Sequence, residues 1–578
     1  MTPLKWTGNR SHQGHLPYEG FVVVIIFTVV SFLYYYDTIH NWFIIDDTAA
    51  IYYSMESLKE IFFGINYSIY FYTPLVPLSF KPDYMLFGMN PAPYHIHNIL
   101  VLVLICFMTF QILRLYVERI SAFLAPLIIL ISTPSVVCIE WVTLRQYLYS
   151  MLFALTVIYL FLKYKPDPAK NRLLLLIILI LCELSFMGKE QFMALPLVLF
   201  IVSEGNFTNR ISKVYPYFIL LIGHFLLRLF VLGWAGGYFG FVYDLRLYAI
   251  TTFLSLLTTS KILFGYSWFI VPVLIPLLKR PKKIGFSILI WLISLSISFF
   301  TMHTYPEAGD FRYWFIPAVL FSFAIGFNAN FIRSVLAKAI FLLIIFSVFF
   351  YNTFSVNRDV KSFFRKTSSH EKMVTNIMLD DTYRNSLIIA DFYDYVEYLL
   401  KIFGRYADVK FFTASYPLAL IAFYPEIGKD YEKVYEIRED SLIDITHSLE
   451  EKVAQFRKDI SQEKPKIELI KKGGRAEANF ACESCVAIQV YKKFDTTQYF
   501  SVGIIPYIKH INLDPVMQRM KSKDVELVES ERLFYKNRRW YIDGEPVDDD
   551  VTFIIVSCIN KDGRHTPFSD MLYFVPDR

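Results

Sequence analysis

The sequence is poor in charge. Charged residues make up 19% of its 578 positions, whereas a soluble globular protein carries about 25%. Glycine and proline, at 23 and 26 residues, are too few for a collagen-like chain, and a hydrophobic content of 55% excludes a disordered one. The net charge of +5 is too small for a chain of this length to indicate a nucleic-acid partner.

The charge that is present is distributed unevenly. Residues 1–350 hold 40 of the 109 charged residues, about 11% of that part, and the last 228 residues hold 69, about 30%. The first part has too little charge for a water-exposed surface. We therefore predict an α-helical polytopic membrane domain over residues 1–354 and an exposed soluble domain over residues 355–578.

The apolar stretches of the first part are long enough to cross a bilayer, which requires about 20 mostly apolar residues. The stretch that contains Gly265 is broken there, and we count it as one crossing. Eleven spans are predicted: 20–37, 94–113, 120–137, 146–162, 173–188, 191–203, 214–233, 249–278, 284–302, 313–329 and 334–353.

The loop charges predict the orientation of these spans. With the N-terminus inside, the inner segments hold sixteen Lys and Arg residues and the outer loops hold six. An odd number of spans then places the C-terminal domain outside. No small-residue cleavage site follows the first apolar run, so we expect it to stay in the membrane. The Phe-, Ile- and Lys-rich composition favours a bacterial inner membrane, with a periplasmic or extracellular C-terminal domain.

Two adjacent carboxylates, Asp46 and Asp47, open the first outer loop, about 38–93. One interpretation is a solvated loop start or a cap for a short helix beginning near Thr48. The other is a general base at the membrane surface, where the lower dielectric raises a carboxylate's pKa and basicity.

Other polar residues lie at the same level, at the outer ends of the predicted spans. Arg228 lies within a span, where a charge is costly unless it faces a partner or a cavity. Lys189 and Glu190 could instead form an ordinary surface pair. This one-sided layer argues against a transporter, whose site lies near the bilayer midplane. The layer comprises Glu140, Arg145, Lys189, Glu190, Arg228, His303, Glu307, Asp310 and Arg312. The candidates for acceptor or loop contacts are His95, Glu190, His303, Glu307 and Asp310.

Several motifs resemble one family. The segments FYTPLVPLSF (71–80), DYMLFGMNP (83–91) and YHIHN (94–98, with His95) are similar to the first-loop signature of GT-C glycosyltransferases. The most similar pattern is that of the protein O-mannosyltransferase-like group, which includes transmembrane O-mannosyltransferases with tetratricopeptide repeats. Further matches are 134–145, Gly188-Lys189-Glu190 and RYWFIP (312–317), so the resemblance covers about residues 40–320. The C-terminal part shows no 34-residue repeat.

The resemblance implies an eleven-span-type GT-C fold with its active site on the outer side. It also implies a donor sugar carried on a polyprenyl or dolichyl phosphate. The family's acidic pair, which supplies the catalytic base, matches Asp46 and Asp47, and Asp46 is the preferred base. Two positions depart from the family. Thr73 replaces the family's Arg before Pro74. Alignment on Trp141 and Arg145 places the family's second acidic residue at Val137. Glu140 is one helical turn away and could reach the same place, so it is a third candidate catalytic residue.

The chemistry expected of such a site is a single, inverting displacement at the anomeric carbon. A carboxylate takes the proton of the acceptor hydroxyl, and preorganised cations stabilise the departing lipid phosphate. Arg145, Lys189, Arg228 and Arg312 are the candidate cations. No cofactor is certain, although His303, Glu307 and Asp310 could hold a divalent metal; ordinary loop polarity is the alternative.

The exposed domain begins with an α/β pattern to about residue 465 and is β-rich over 466–578. Strands are predicted at 386–390, 409–413, 486–491, 499–505, 539–542, 552–556 and 571–575, and helices at 395–406 and 441–460. A local disulfide between Cys482 and Cys485 is expected in an oxidising outer compartment.

Three functions are compatible with these features. The first is a glycosyltransferase that modifies a cell-surface polysaccharide such as an O-antigen, or glycosylates a protein. The second is a non-enzymatic transporter of lipid-linked sugars, and the third is a membrane-anchored scaffold. A scaffold would leave the acidic pair and the intramembrane arginine without a role, so we expect the enzyme.

Overall fold

A computed structural model describes most of the N-terminal part of this chain and the regular elements of its C-terminal part. The described residues are 18–64, 71–166, 171–232, 260–265, 308–329, 334–383, 386–390, 411–413, 432–438 and 441–458, together with isolated positions and the strands between 466 and 573. The chain divides into two compact units, Met1–Asn66 with Tyr70–Ser368, and Tyr67–Ile69 with Ser369–Arg578.

The first unit is helical. Its largest hydrophobic core surrounds the helix Pro91–Arg114, whose buried residues include Leu102, Cys106 and Leu113. The helices are α1 (Glu19–Tyr35), α2 (Asp47–Ser54), α3 (Leu58–Phe63), α4 (Leu75–Phe87), α5 (Pro91–Arg114), α6 (Arg119–Ile131), α7 (Thr133–Glu140), α8 (Arg145–Tyr164), α9 (Arg172–Gly188), α10 (Leu195–Val202), α11 (Phe207–Leu232), α12 (Phe315–Ala329) and α13 (Val335–Leu379). Helix α13 continues beyond Ser368 into the second unit.

The prediction of a helical, multi-pass membrane protein is confirmed. Among the described residues, five helical segments are long and apolar enough to cross a membrane: Pro91–Arg114, Val142–Tyr164, Phe207–Leu232, Phe311–Ala329 and Leu336–Ile377. Helix α1 is apolar but has only 17 residues. Most of 249–278 and all of 284–302 lie outside the described residues, so the number of eleven spans stays a prediction.

Two predicted spans differ in shape from a single straight helix. The stretch 120–137 is a bent pair, because α6 ends before Ser132 and α7 begins after it at an angle of 54°. Ser132 caps α7 by accepting the backbone N–H of Ser135, and Pro134 follows in the first turn, where proline is tolerated. The stretch 191–203 is a 3₁₀ segment, Glu190–Ala194, followed by the eight-residue α10.

The second unit contains two β-sheets. The strands are β1 (Ser386–Ala390), β2 (Phe411–Thr413), β3 (Lys433–Arg438), β4 (Ser441–Asp444), β5 (Lys466–Lys472), β6 (Arg475–Ala481), β7 (Cys485–Phe494), β8 (Gln498–Pro506), β9 (Leu533–Lys536), β10 (Arg539–Ile542), β11 (Glu545–Pro546), β12 (Val551–Asn560) and β13 (Leu572–Tyr573). Their orders are β13-β12-β7-β8-β2-β1-β3-β4 and β11-β10-β9-β6-β5. Strand β1 is parallel to β2 and β3, and β5 is antiparallel to β6.

Most predicted strands of this unit are present, but one predicted helix is wrong in part. Residues 441–460 contain strand β4 first, then a 3₁₀ segment, and only then helix α14 (Leu449–Lys458). The charged residues around 450 gave a helical pattern, while the pairing of Ser441 with Arg438 makes a hairpin of β3 and β4. The larger sheet also combines strands from both predicted parts of the domain. Cys482 and the predicted helix 395–406, apart from one position, lie outside the described residues.

Candidate active site

The acidic pair of the first outer loop lies at the start of α2, and its two carboxylates have different environments. Asp47 is fully buried. Its Oδ1 accepts the backbone N–H and the hydroxyl of Thr143 at 2.6 and 2.5 Å, and its Oδ2 accepts the N–H of Ile44 at 3.0 Å. Burial and the neighbouring Asp46 carboxylate raise the pKa of Asp47 to about 7. Asp47 therefore fastens the loop to the turn that precedes α8.

Asp46 is only half-buried, and neither aspartate is a simple helix cap. Its Oδ1 accepts the indole N–H of Trp141 at 2.6 Å. The Asp46 side chain makes no capping hydrogen bond to α2, so Asp46 is not the helix cap that one interpretation of the sequence predicted. Burial raises the pKa of Asp46 above its usual value, and the Trp141 hydrogen bond and the charge of Arg312 partly oppose that shift. A carboxylate in this state is a stronger base than one in water.

The backbone before Asp46 is in an unusual conformation. Ile45 has a φ of 50°, in the left-handed region that a β-branched residue rarely adopts. Such conformations persist where surrounding contacts hold them, and they cluster at functional sites. At Ile45 these contacts are the hydrogen bonds that Asp47 accepts from Ile44 and Thr143.

Arg312 comes to the same place from a distant part of the chain. It lies in the 3₁₀ segment Ala308–Trp314, which precedes α12. Its guanidinium carbon is 4.8 Å from the centroid of the Trp141 ring and 4.6 Å from that of Tyr313, and its Nη2 donates to the Tyr313 hydroxyl at 2.9 Å. Because the charge of Arg312 lowers the pKa of Asp46, the cation and the carboxylate interact.

Lys189 is a second cation at this site. It follows α9 directly, and its ammonium is 4.1 Å from the Phe71 ring centroid and 5.3 Å from that of Tyr147. A side chain at Gly188 would collide with the Ser150 hydroxyl, so the close approach of α9 to α8 that positions Lys189 requires glycine. Burial lowers the pKa of Lys189 to about 8, and Arg312 and Arg228 contribute to the decrease while Glu190 and Asp46 oppose it.

Arg228 and Glu190 lie next to these groups as an ion pair. The guanidinium of Arg228, on α11, is 3.2 Å from the carboxylate of Glu190, and both side chains are largely buried. The arginine within the predicted span thus has the carboxylate partner that its position requires. The structure therefore brings together Asp46, Lys189, Glu190, Arg228 and Arg312.

The structure places Arg145 in the protein interior. Its side chain is fully buried; it donates to Asp83 at 2.7 Å, to Asn98 at 3.0 Å and to the backbone oxygens of Ser79 and Tyr94. These contacts join α4, α5 and α8. The side chain that the sequence predicts as a donor-phosphate contact is thus occupied by interior partners.

Glu140 and His95 also have interior partners. The two carboxylate oxygens of Glu140 accept from Thr38 and Asn41, both at 2.6 Å, so Glu140 holds the start of the first outer loop. The ring nitrogens of His95 lie 2.9 and 3.2 Å from the carbonyl oxygens of Ile139 and Asn41. Glu140, a candidate catalytic residue, and His95, a candidate acceptor contact, are thus each held by interior partners.

The remaining predicted site residues are His303, Glu307 and Asp310. The first two, and the side chain of Asp310, lie outside the described residues. Among the residues that the structure does describe, no cluster of three or more His, Cys, Asp or Glu side chains could hold a metal ion. The divalent metal stays a prediction.

Three features of the structure are not predicted by the sequence analysis above. Trp141 and Thr143 were not assigned roles, because only the fold shows that they contact the aspartates. The third is a pair within two predicted spans, in which Nδ1 of His224 is 2.8 Å from Oε1 of Glu183. The rule that singled out Arg228, that an ionisable residue within a span marks a functional or paired position, would have found this pair as well.

No protein-family model and no curated protein matches this chain. Among solved structures it is similar to ArnT from Cupriavidus metallidurans in the apo state, with 12% identity, a TM-score of 0.45 and coverage of 78% of this chain and 96% of that one. For the same protein bound to undecaprenyl phosphate, the identity is 11%, the TM-score is 0.45, and the match covers 80% of this chain and 98% of that one. For an Archaeoglobus fulgidus oligosaccharyltransferase in complex with Zn and sulfate, the identity is 11%, the TM-score is 0.43, and the match covers 72% of this chain and 67% of that one. Because these identities and scores are low, we infer the chemistry from the residues of the site.

Proposed function

We propose that this chain is a GT-C-type glycosyltransferase. It moves a sugar from a polyprenyl-phosphate donor to an acceptor hydroxyl, with inversion at the anomeric carbon, on the outer face of a bacterial inner membrane. The observation that supports this proposal is the position of Asp46. This half-buried carboxylate has a raised pKa and lies within electrostatic reach of two cations.

The reaction assigned to the site is a single displacement. The acceptor hydroxyl loses its proton to Asp46 as its oxygen attacks the anomeric carbon. The bond between that carbon and the phosphate oxygen breaks, and the phosphate keeps the bonding electrons. The hydrogen bonds that occupy both oxygens of Asp47 leave it less suited to this step, so Asp46 is the base and Asp47 supports the loop.

Lys189 and Arg312 are the proposed donor-phosphate contacts. The departing phosphate gains negative charge, and fixed cations in a site of low dielectric stabilise that charge. Both cations interact with Asp46, whereas Arg145 is fully buried among other partners. Arg228 lies beside them in its pair with Glu190 and supports the positive field.

The acceptor is proposed to be a cell-surface polysaccharide such as an O-antigen. The C-terminal domain contains no tetratricopeptide pattern in its sequence, which gives the polysaccharide a slight advantage over a protein acceptor. Transfer to protein hydroxyls is the alternative within the same chemistry.

The test uses the purified full chain and polyprenyl-phosphate sugars labelled in the sugar. Release of polyprenyl phosphate, with label transferred to added polysaccharide or to peptides that contain Ser and Thr, would support transfer and distinguish the two acceptors. Asp46→Asn should abolish release. Asp37→Asn removes an exposed carboxylate just before the same loop, which pairs at the surface with Arg365, and should retain activity. Movement of intact donor across a vesicle membrane without release would instead indicate a transporter.

A further inference from the structure

Trp141 lies where three distant segments of the chain meet. It follows α7 directly and contacts Asp46, which is 95 positions earlier in the chain. The same side chain contacts Arg312, which belongs to the segment before α12. The indole is 7% exposed, so its position is determined by packing.

The two contacts use different parts of the indole. The edge, through Nε1–H, donates to Oδ1 of Asp46 at 2.6 Å, a short distance for a hydrogen bond of this kind. The ring face lies 4.8 Å from the guanidinium carbon of Arg312, within the range of a cation–π interaction. One rigid side chain therefore sets the separation between a carboxylate and a cation.

We propose that Trp141 is a positioning residue that orients the base Asp46 through its indole N–H and holds the phosphate-binding Arg312 against its ring. This inference rests on the proposed glycosyl-transfer function. It adds to that function a residue that carries out no proton transfer and binds no substrate, yet controls two groups that do.

The two roles have separate kinetic consequences. The N–H bond stabilises the ionised carboxylate, so its loss should raise the pKa of Asp46 further and lower the fraction of active base at neutral pH. The other charges that face Asp46 are those of Asp47, Arg312 and Lys189. Loss of the ring face should instead release Arg312 and weaken donor binding.

The experiment compares two substitutions in the full-length enzyme by their kcat, donor KM and pH–rate profiles. Trp141→Phe keeps an aromatic face and removes the N–H. It should lower kcat about 10–100-fold, move the acidic limb of the profile to higher pH and leave the donor KM unchanged. Trp141→Ala removes both contacts and should raise the donor KM in addition. A purely structural role would lower the amount of folded enzyme without moving the acidic limb.

A closer isostere keeps the test decisive if Trp141→Phe fails to fold. Replacement of Trp141 by 3-benzothienylalanine retains the size of the indole and substitutes sulfur for the N–H. The same loss of kcat and the same shift of the acidic limb are expected. An unchanged acidic limb and kcat in this variant would overturn the inference. If Asp46→Asn were inactive in the same preparation, the proposed function would stand; if Asp46→Asn were active, the proposed function itself would fail.

Discussion

The guanidinium of Arg145 and the carboxylate of Asp83 lie 2.7 Å apart, with the arginine side chain fully buried. The same carboxylate is 2.9 Å from Nδ1 of His97, whose Nε2 is 2.5 Å from the Tyr149 hydroxyl. The Arg145 guanidinium carbon also lies 4.1 Å from the Phe80 ring centroid. The motifs of the first outer loop therefore converge on one buried cation, which fixes α4 against α5 and α8.

Arg145→Lys is expected to lower stability and leave donor binding unchanged. Lysine keeps the charge but cannot reproduce the planar fork that reaches several acceptors, so buried acceptors are left unsatisfied at about 1–3 kcal/mol each. Thermal unfolding in detergent should shift to lower temperature, and the donor KM of the surviving folded enzyme should match that of the wild type. A large rise in donor KM at unchanged stability would restore Arg145 to the phosphate site.

Lys189 is expected to set the alkaline limit of activity. Its pKa is lowered to about 8, so it is charged below that pH and loses its charge as the pH rises through it. The donor phosphate then loses one of its proposed contacts. Donor KM measured between about pH 6 and pH 10 should rise on the alkaline side of 8.

The matched control for this limb is Lys189→Arg. Arginine stays protonated over the whole range, so the alkaline rise in donor KM should disappear or move to higher pH. If both proteins show the same alkaline limb, another group titrates there. The acidic limb, assigned to Asp46, should be the same in the two proteins.

The Glu183–His224 pair should be energetically coupled. Oε2 of Glu183 and Nε2 of His224 are buried without a hydrogen-bond partner in the part of the chain that the structure describes, so the 2.8 Å contact is the one that compensates burial. His224→Phe should therefore destabilise the protein by about 1–3 kcal/mol. In a protein that already carries Glu183→Leu, His224→Phe should lower the free energy of unfolding by much less.

A double-mutant cycle on the unfolding free energy in detergent measures this coupling. Additive effects of Glu183→Leu and His224→Phe would mean that the two side chains do not stabilise each other. A suitable background control is Cys106→Ala, a buried residue of α5, which should add to either change without coupling.

The sequence was most informative where one physical rule dominates. Long apolar runs predicted α5, α8, α11 and α12 because a span must be apolar over its whole length. The acidic pair was identified because two adjacent carboxylates just beyond a span repel each other and have no obvious local partner in the sequence. The roles within the pair were not predictable, since they depend on Trp141 and Thr143, which lie almost 100 positions away.

The same limit applies to the arginines. Position relative to the predicted spans indicates the depth of Arg145 and Arg228, but not the direction in which either side chain points. Tertiary packing placed Arg145 among Asp83 and Asn98 and placed Arg228 against Glu190. The bend at Ser132 was missed for a related reason: hydropathy measures composition, and a capping serine within an apolar run changes it very little.

The left-handed conformation of Ile45 has a consequence for both the stability of the protein and its proposed activity. Such a residue costs on the order of 1–3 kcal/mol, and a residue tolerant of positive φ at this position would make the protein more stable. The easier turn would, however, also allow the loop to relax away from Thr143 and Trp141. Selection for heat resistance alone would therefore favour changes at Ile45 that raise stability and lower turnover.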